Sequence, residues 1–442
     1  MQQTAVLAHG IGGRSDLPIE LALAVQGAAI AVFVSFVAVA LLWKEPKLTG
    51  GAAGRPISPA LQRYFDAPIL RILLQSVTLA AAILLIVAGL IGSTDVNKNI
   101  TPWAFYITFW IGILLVLSAL LGPVWRVLNP LRLVHGALAR VSGSRPEEGL
   151  RPMPPGLGYW PAVASLLAFL WLELVYSDRE SPYVVSVFIA VYAAVNIAAA
   201  AVYGSGWFAR GDGFEVYSSL VGKLSPFGRR DDGRLVLRNP LDGLASQGSG
   251  PGFVAVIAVL IGSTAFDGVT RTRLWQERID PDDTLAGTLG LLGCVLIVGA
   301  LYTLASRAAG KYAIGVPRSA FPGALAASLI PIAIGYGVAH YLSLLVGDGQ
   351  RVIQLASDPL GNGTDYFGTA LRRNNYTLLT QDTVAYIQVG AIVVGHIIGV
   401  FSAHDRSAAL LAPESRQRGQ FPMIVLMVGL TCLGVYLLFG TG

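Results

Sequence analysis

Charge is what this sequence has least of. Asp, Glu, Lys and Arg make up 13% of its 442 residues, where a soluble domain carries roughly 25%. Mean hydropathy is +0.62, and 54% of the residues are hydrophobic. The apolar residues fall in repeated runs near the ~20 residues that a bilayer-crossing helix needs. This excludes an ordinary soluble protein. It predicts an all-α fold, a polytopic transmembrane helical bundle of about ten spans, with residues 1–442 forming a single integral membrane domain.

Cysteine is also scarce. Cys294 and Cys432 both sit inside apolar runs and read as small core residues. Without a Cys-x-x-Cys there is no iron–sulfur or haem-attachment signal. There is no Walker motif, no Gly-x-Gly-x-x-Gly opening a helix after a strand, and no Gly-x-Ser-x-Gly elbow. ATP-driven transport and serine hydrolysis therefore have no positive support. The opening "MQQTAVLA" lacks a basic start and an apolar core, so no signal peptide is expected.

What charge there is leans positive, with a net +5 and a pI near 9.2. In a soluble protein that balance could suggest nucleic acid. Here the excess serves the cytoplasmic loops, and no nucleic-acid partner is expected. The predicted spans are roughly 18–43, 69–93, 103–125, 157–176, 183–208, 252–270, 285–306, 320–346, 384–403 and 421–439. With the N-terminus outside, the five inner loops hold 21 Lys and Arg and the outer segments hold 9, Arg71 being the remaining one of 31. The positive-inside bias thus predicts a multi-pass protein of a bacterial cytoplasmic membrane, in contact with membrane lipid, with both termini extracytoplasmic.

The loops carry local signals. Asn129-Pro130 in "NPLRLVHGALARV" is an N-cap followed by a first-turn proline, predicting a short helix, and His135 within it reads as a solvated loop residue. In the cytoplasmic loop 209–250, "FEVYSSLVGKL" has the spacing of a helix lying on the membrane face. "FGRRDDGRLVLRNPL" places Asp232-Gly233 between two short arms, which predicts a hairpin. Asn-Pro-Leu recurs at Asn239, which is too short a match to establish a repeat. The extracytoplasmic loop 347–383 is long enough to carry function or fold as a lid. "LAHGIGGRSDLP" at the N-terminus falls on the same side. Asn-x-Thr sequons at Asn99, Asn362 and Asn375 are read as coincidental.

Polar side chains within the spans are the candidate functional residues, because hydrocarbon cannot hold them cheaply. The set is Gln75, Glu173, Asp267, His340, Gln388 and His396. A helical rise of ~1.5 Å per residue puts Glu173 and Asp267 about one turn from the outer surface, His340 about two and His396 about three. Two carboxylates and two imidazoles from four spans can bind a divalent metal such as Zn, Mn, Fe or Cu, and the metal can activate a water. On that reading His340, His396, Asp267 and Glu173 are metal ligands, and Asp267 and Glu173 also the catalytic pair. Equally open are structural interhelical bonding and a proton or solute path. Pro322 and Pro331 are expected to start or kink the eighth span. His404-Asp405-Arg406 reads as an interface anchor, and Trp103, Trp110 and Trp275 as belt or core aromatics.

"AHGIGGRSDLP", "WLELVY", "FDG", "SDPLGNGTDYFGTA" with "NYTLL", and "YIQVGAIVVGHIIGVFSAHDR" together resemble a group of actinobacterial polytopic membrane proteins, often labelled fenitrothion hydrolase. The resemblance covers most of the chain. It implies hydrolysis of an organophosphate ester, a small-molecule substrate. In that group "AHG" often follows a cleavable signal sequence; here eight residues precede His9, so this chain as written does not offer an N-terminal histidine for copper.

The leading expectation is thus a metal-dependent membrane protein with an outward-facing polar pocket, which the resemblance would make a hydrolase of phosphoester-type substrates. The alternatives are a proton-coupled transporter or permease, and a non-catalytic subunit with partners in a membrane complex.

Overall fold

The computed structural model describes residues 21–439. The N-terminal "LAHGIGGRSDLP" stretch, with His9, lies outside them. Among the described residues nine helices are long and apolar enough to cross a membrane: Leu21–Leu42, Pro68–Ile91, Ile100–Leu121, Pro182–Tyr203, Phe253–Thr270, Thr284–Tyr312, Phe321–Asp348, Gln381–Leu410 and Pro413–Leu438. A shorter apolar helix, Trp160–Leu174, stands where the fourth span was expected. The chain is an all-α multi-pass membrane protein. These ten helices are numbered spans 1 to 10 in chain order. Many carry large apolar side chains on their open faces, such as Leu23, Ile30 and Phe33 on span 1 and Ile72, Leu73 and Val77 on span 2. Lipid is the solvent such faces need.

The chain divides into two compact units. The first comprises Ile57–Gly222 and Tyr341–Leu379 and contains spans 2 to 5. Its centre is a stack of aromatic rings from Phe105, Phe109, Trp110, Phe169, Tyr192 and Phe214, with neighbouring centroids 4.5–6.3 Å apart. Edge-to-face and offset contacts of this kind add to the burial of large apolar surfaces. Spans 2 and 5 touch backbone to backbone at Gly89, where a Cβ would meet the Pro182 carbonyl oxygen at 2.3 Å. The predicted outer loop is ordered, with a short helix at Gln350–Ser357. Arg351 ties it down, donating to the Asn97 carbonyl at 2.9 Å and lying over the Trp103 ring. Asn99 is fully buried, and its amide donates to Ala88 and Ser93, which leaves no room for a glycan on that sequon.

The second unit comprises 21–56, Lys223–His340 and 380–439, and contains spans 1, 6, 7, 9 and 10 with most of span 8. The predicted hairpin forms: strands β2 (Phe227–Arg229) and β3 (Leu235–Leu237) pair antiparallel, with Gly233 at φ +81 in the turn. A third strand, β1 (Arg55–Pro56), pairs with β3, giving the order β1-β3-β2. Span 8 is broken as its prolines predict, with a tight 3-10 stretch over Ala326–Leu329 before the helix resumes at Ile330. It crosses span 9 on a glycine seam. A Cβ on Gly335 would meet the Ala391 carbonyl oxygen at 2.4 Å, and one on Gly395 the Pro331 carbonyl oxygen at 2.6 Å. Gly395 and Gly399 make a Gly-x-x-x-Gly pair that lets the two backbones meet.

Span 9 runs to Leu410, past its predicted end at 403. His404 and Asp405 are buried and stay helical because they have partners. Asp405 accepts from the Trp43 indole and from the Lys47 and Leu48 amides, while His404 Nε2 is 2.8 Å from the Trp43 carbonyl. The expected anchor is thus a clamp on the chain leaving span 1.

Two expectations are corrected. His135 is buried, not solvated, in the helix Pro130–Val141. "FEVYSSLVGKL" does not lie on the membrane face: in the helix Gly213–Val221 every residue but Ser219 is buried. Its apolar residues do share one side, but the polar side is covered as well, Glu215 by Arg132 and Ser218 by Ser118, so no face is left for the membrane surface.

Candidate functional site

The sequence-predicted residues resolve into local groups. In the second unit Asp267 and His340 do meet. Span 6 brings Asp267 and span 8 brings His340, with His340 Nε2 3.3 Å from Asp267 Oδ2. One turn beyond Asp267, Arg271 reaches back, its guanidinium 3.0 Å from the same oxygen. Tyr336 stacks on the His340 ring, with centroids 6.1 Å apart. Asp267 and His340 are both buried. The result is a carboxylate held between an imidazole and a guanidinium.

His396, also in this unit, turns its Nδ1 to the Ile392 carbonyl at 2.9 Å, one turn back on its own helix. Its Nε2 is buried without a hydrogen-bond partner among the described residues. Gln388 donates to the Ala339 carbonyl at 2.8 Å, an interhelical bond between spans 8 and 9. In the first unit Glu173 accepts from the Tyr341 hydroxyl at 2.8 Å, and Gln75 is buried in span 2. Among the described residues no three His, Cys, Asp or Glu side chains gather as a metal ion needs. The cation already on Asp267 would also repel a divalent ion. The donor set therefore does not fit a metal as arranged.

The most developed polar site was not among the candidates. It lies in the first unit, on two short helices that the sequence placed in loops. One is Pro130–Val141, capped by Asn129, whose side chain accepts from the Leu131 amide. The other is Gly213–Val221, capped by Asp212, which accepts from the Phe214 and Glu215 amides. Both caps satisfy backbone donors left open at a helix start.

Contacts with the spans fix how far these helices reach. Thr78, Trp110 and Tyr192 each stand near the midpoint of spans 2, 3 and 5. Thr78 Oγ1 donates to the Leu128 carbonyl, immediately before Asn129. Trp110 stacks on Tyr217 at 4.4 Å, and the Tyr192 hydroxyl donates to Asp212 Oδ1 at 2.5 Å. At the other end, a Cβ on Gly222 would meet Pro123 N at 2.5 Å, just past the end of span 3. Ser205, just past span 5, donates its amide to Pro146 at 2.7 Å. The two helices thus run from mid-span depth to one end of the bundle. At a rise of ~1.5 Å per residue, helices of 12 and 9 residues suit half a bilayer. Protein covers Gly213–Val221 and the start of Pro130–Val141, while the far end of the latter exposes Leu138 and Val141; half-helices that enter a bilayer without crossing it need such cover where they are deepest.

Their N-terminal ends converge on one network. Asn129 Nδ2 donates to Asp212 Oδ2 at 2.8 Å and to Glu215 Oε2 at 3.1 Å. Arg132 binds both oxygens of Glu215, at 2.6 and 2.7 Å. Asn129, Asp212 and Glu215 are each fully buried. One guanidinium faces two carboxylates and is spent on Glu215. Burial, and next the neighbouring Glu215, push the Asp212 carboxyl up from 3.8 to about 6, against the lowering hydrogen bonds from Tyr192 and Asn129.

Two sequence signals could have found this site. Asp212-x-x-Glu215 has the form of a helix-start box, and Asn129-Pro130 was recognised as a cap. Neither signal marks a membrane-embedded helix by itself, because the segments are short and interrupted by charge. The chain matches no known family model, no curated protein and no solved structure.

Proposed function

We propose that the protein is a proton-linked transporter or permease for a small solute. The observation that carries this reading is the pair of half-helices starting near mid-span, with titratable groups at their junction. Broken helices whose ends meet inside a bundle are how membrane carriers build a site at the midplane. The Asp267–Arg271–His340 group supports it independently, since ionisable side chains within spans mark proton relays and solute paths. The interrupted span 8, which carries His340, supplies a place where a helix can bend. The Lys and Arg distribution supports a cytoplasmic-membrane protein with both termini outside. On that orientation the half-helices open from the cytoplasmic side.

The competing reading, a metal-dependent phosphoester hydrolase using Glu173, Asp267, His340 and His396, draws its support from His396. A ring that turns one nitrogen to a backbone carbonyl and leaves the other without a partner has the form of a metal ligand. One imidazole is still short of the three protein ligands a catalytic zinc requires.

The test is reconstitution into vesicles loaded with a pH-sensitive dye, followed by a panel of organic acids, amino acids and sugars. The expected result is that at least one solute drives protons inward and that protein-free vesicles do not respond. Purified protein that moves no protons, carries stoichiometric metal and hydrolyses a p-nitrophenyl phosphotriester would overturn the proposal.

A further inference from the structure

We infer that Asp212 is the residue that takes up and releases the coupled proton, with the Tyr192 hydroxyl bonded beside it to set its proton affinity. This rests on the transporter reading above and names the group that would do the coupling.

The argument is one of charge count and geometry. Five polar side chains, Asn129, Arg132, Tyr192, Asp212 and Glu215, close on one another inside the first unit. The groups facing Asp212 can be taken element by element. Its own helix offers Glu215, a like charge. The other half-helix offers Arg132, whose fork is bidentate on Glu215, and the neutral Asn129. Span 5 offers Tyr192. Span 4 offers the Ser165 hydroxyl, which accepts from the Gly213 amide; its carboxylate Glu173 is bonded to Tyr341. Span 3 offers the Phe105, Phe109 and Trp110 rings, none titratable. In the chain leading up to Asp212, Arg210 lies over the Tyr159 ring. No second cation among the described residues balances Asp212.

A buried carboxylate without a counter-charge lowers its energy by holding a proton. When protonated, the network is neutral: one guanidinium, one carboxylate. When ionised, it carries one net negative charge where the two half-helices start. The helix ends themselves stabilise that charge, so both states are accessible, as a coupling group requires. Tyr192 donates to the opposite oxygen, Oδ1, and so stabilises the ionised form and sets how tightly Oδ2 holds its proton. The change of state is a local bond rearrangement: the proton on Asp212 Oδ2 would displace the Asn129 amide, which then keeps only Glu215 as partner. That contact joins the two half-helices, so loading the proton loosens their junction.

The test is infrared difference spectroscopy on the full chain in lipid, titrated from pH 4 to 9. The expected result is one protonated-carboxyl stretch that disappears with a midpoint near 6 and is absent in Asp212→Asn, where Asn still caps the helix. Tyr192→Phe removes a donor to the ionised form and should raise the midpoint by about one pH unit, a tenfold change in proton affinity. Should Asp212→Asn not fold, the Tyr192→Phe midpoint decides alone. A carboxyl band that persists in Asp212→Asn, or a midpoint unmoved in Tyr192→Phe, overturns the assignment. If the band behaves as expected and vesicles move no protons with any solute, the assignment of the proton site stands and the transporter reading falls.

Discussion

Replacing Arg132 with methionine is the sharpest perturbation of the first unit. The guanidinium donates to both Glu215 oxygens, at 2.6 and 2.7 Å, and the Glu215 side chain is 1% exposed. Methionine fills much of the same volume but supplies no charge. Glu215 would then keep only the Asn129 amide, beside a second carboxylate at Asp212. Stranding one member of a buried pair typically costs about 3–5 kcal/mol. Removing both charges, in Arg132→Met with Glu215→Gln, should recover much of that, because Gln still accepts from Asn129. The coupling between the two substitutions should be about 2 kcal/mol or more. Unfolding in mixed micelles by added SDS, followed by tryptophan fluorescence, measures all three variants. A single-variant cost below about 1 kcal/mol, or no recovery in the double variant, would refute the reasoning that Glu215 depends on this cation.

Further expectations follow from other parts of the structure. The folded Asp212 carboxyl holds its proton up to about pH 6, whereas the unfolded one releases it near 3.8. Its contribution to stability is therefore full below about pH 4 and is lost as pH rises through 6, by up to about 3 kcal/mol. The difference between wild type and Asp212→Asn across pH reads this directly, and a flat difference curve would contradict it. Gly335→Leu and Gly395→Leu should each disrupt the span 8–9 crossing and cost more than about 2 kcal/mol, since a Cβ alone meets carbonyl oxygens at 2.4 and 2.6 Å. Gly390→Ala, in the same span with nothing within 4 Å, should be neutral or stabilising by SDS unfolding. Asp405→Ala leaves the Trp43 indole and two amides without their acceptor. It should speed tryptic cleavage after Lys44 or Lys47, with unchanged cleavage rates counting against the clamp.

The spans were legible because a bilayer imposes one rule on every residue along ~30 Å. An apolar run such as Ile83–Val87 in span 2 can be little else. Caps and turns were legible for local reasons, as at Asn129 and at Asp232-Gly233. The half-helices were not, because depth is a tertiary property. Asp212, Glu215 and Arg132 look like ordinary loop charges until Tyr192 and Asn129 are seen beside them. Arg271 illustrates the same limit. By sequence it is an outer-loop cation, yet its position four residues after Asp267 brings it back onto that carboxylate. The contact of Asp267 with His340 is one piece of the four-residue pocket expected from the sequence, reached from depths about a turn apart. The pairing of Glu173 with Tyr341 is not legible there, since a tyrosine in an apolar run gives no sign of where its hydroxyl goes.

The re-entrant course of Pro130–Val141 is tested most directly by labelling single cysteines with a membrane-impermeant maleimide, after Cys294 and Cys432 are replaced by alanine. Lys98, Asp178, Arg145 and Gly206 are exposed positions in four connections of the first unit. Cysteines at 98 and 178 should react from one side of the membrane, and those at 145 and 206 from the other. Position 145 reacting from the same side as 98 would mean that the helix crosses, and the junction at Asp212 could not exist.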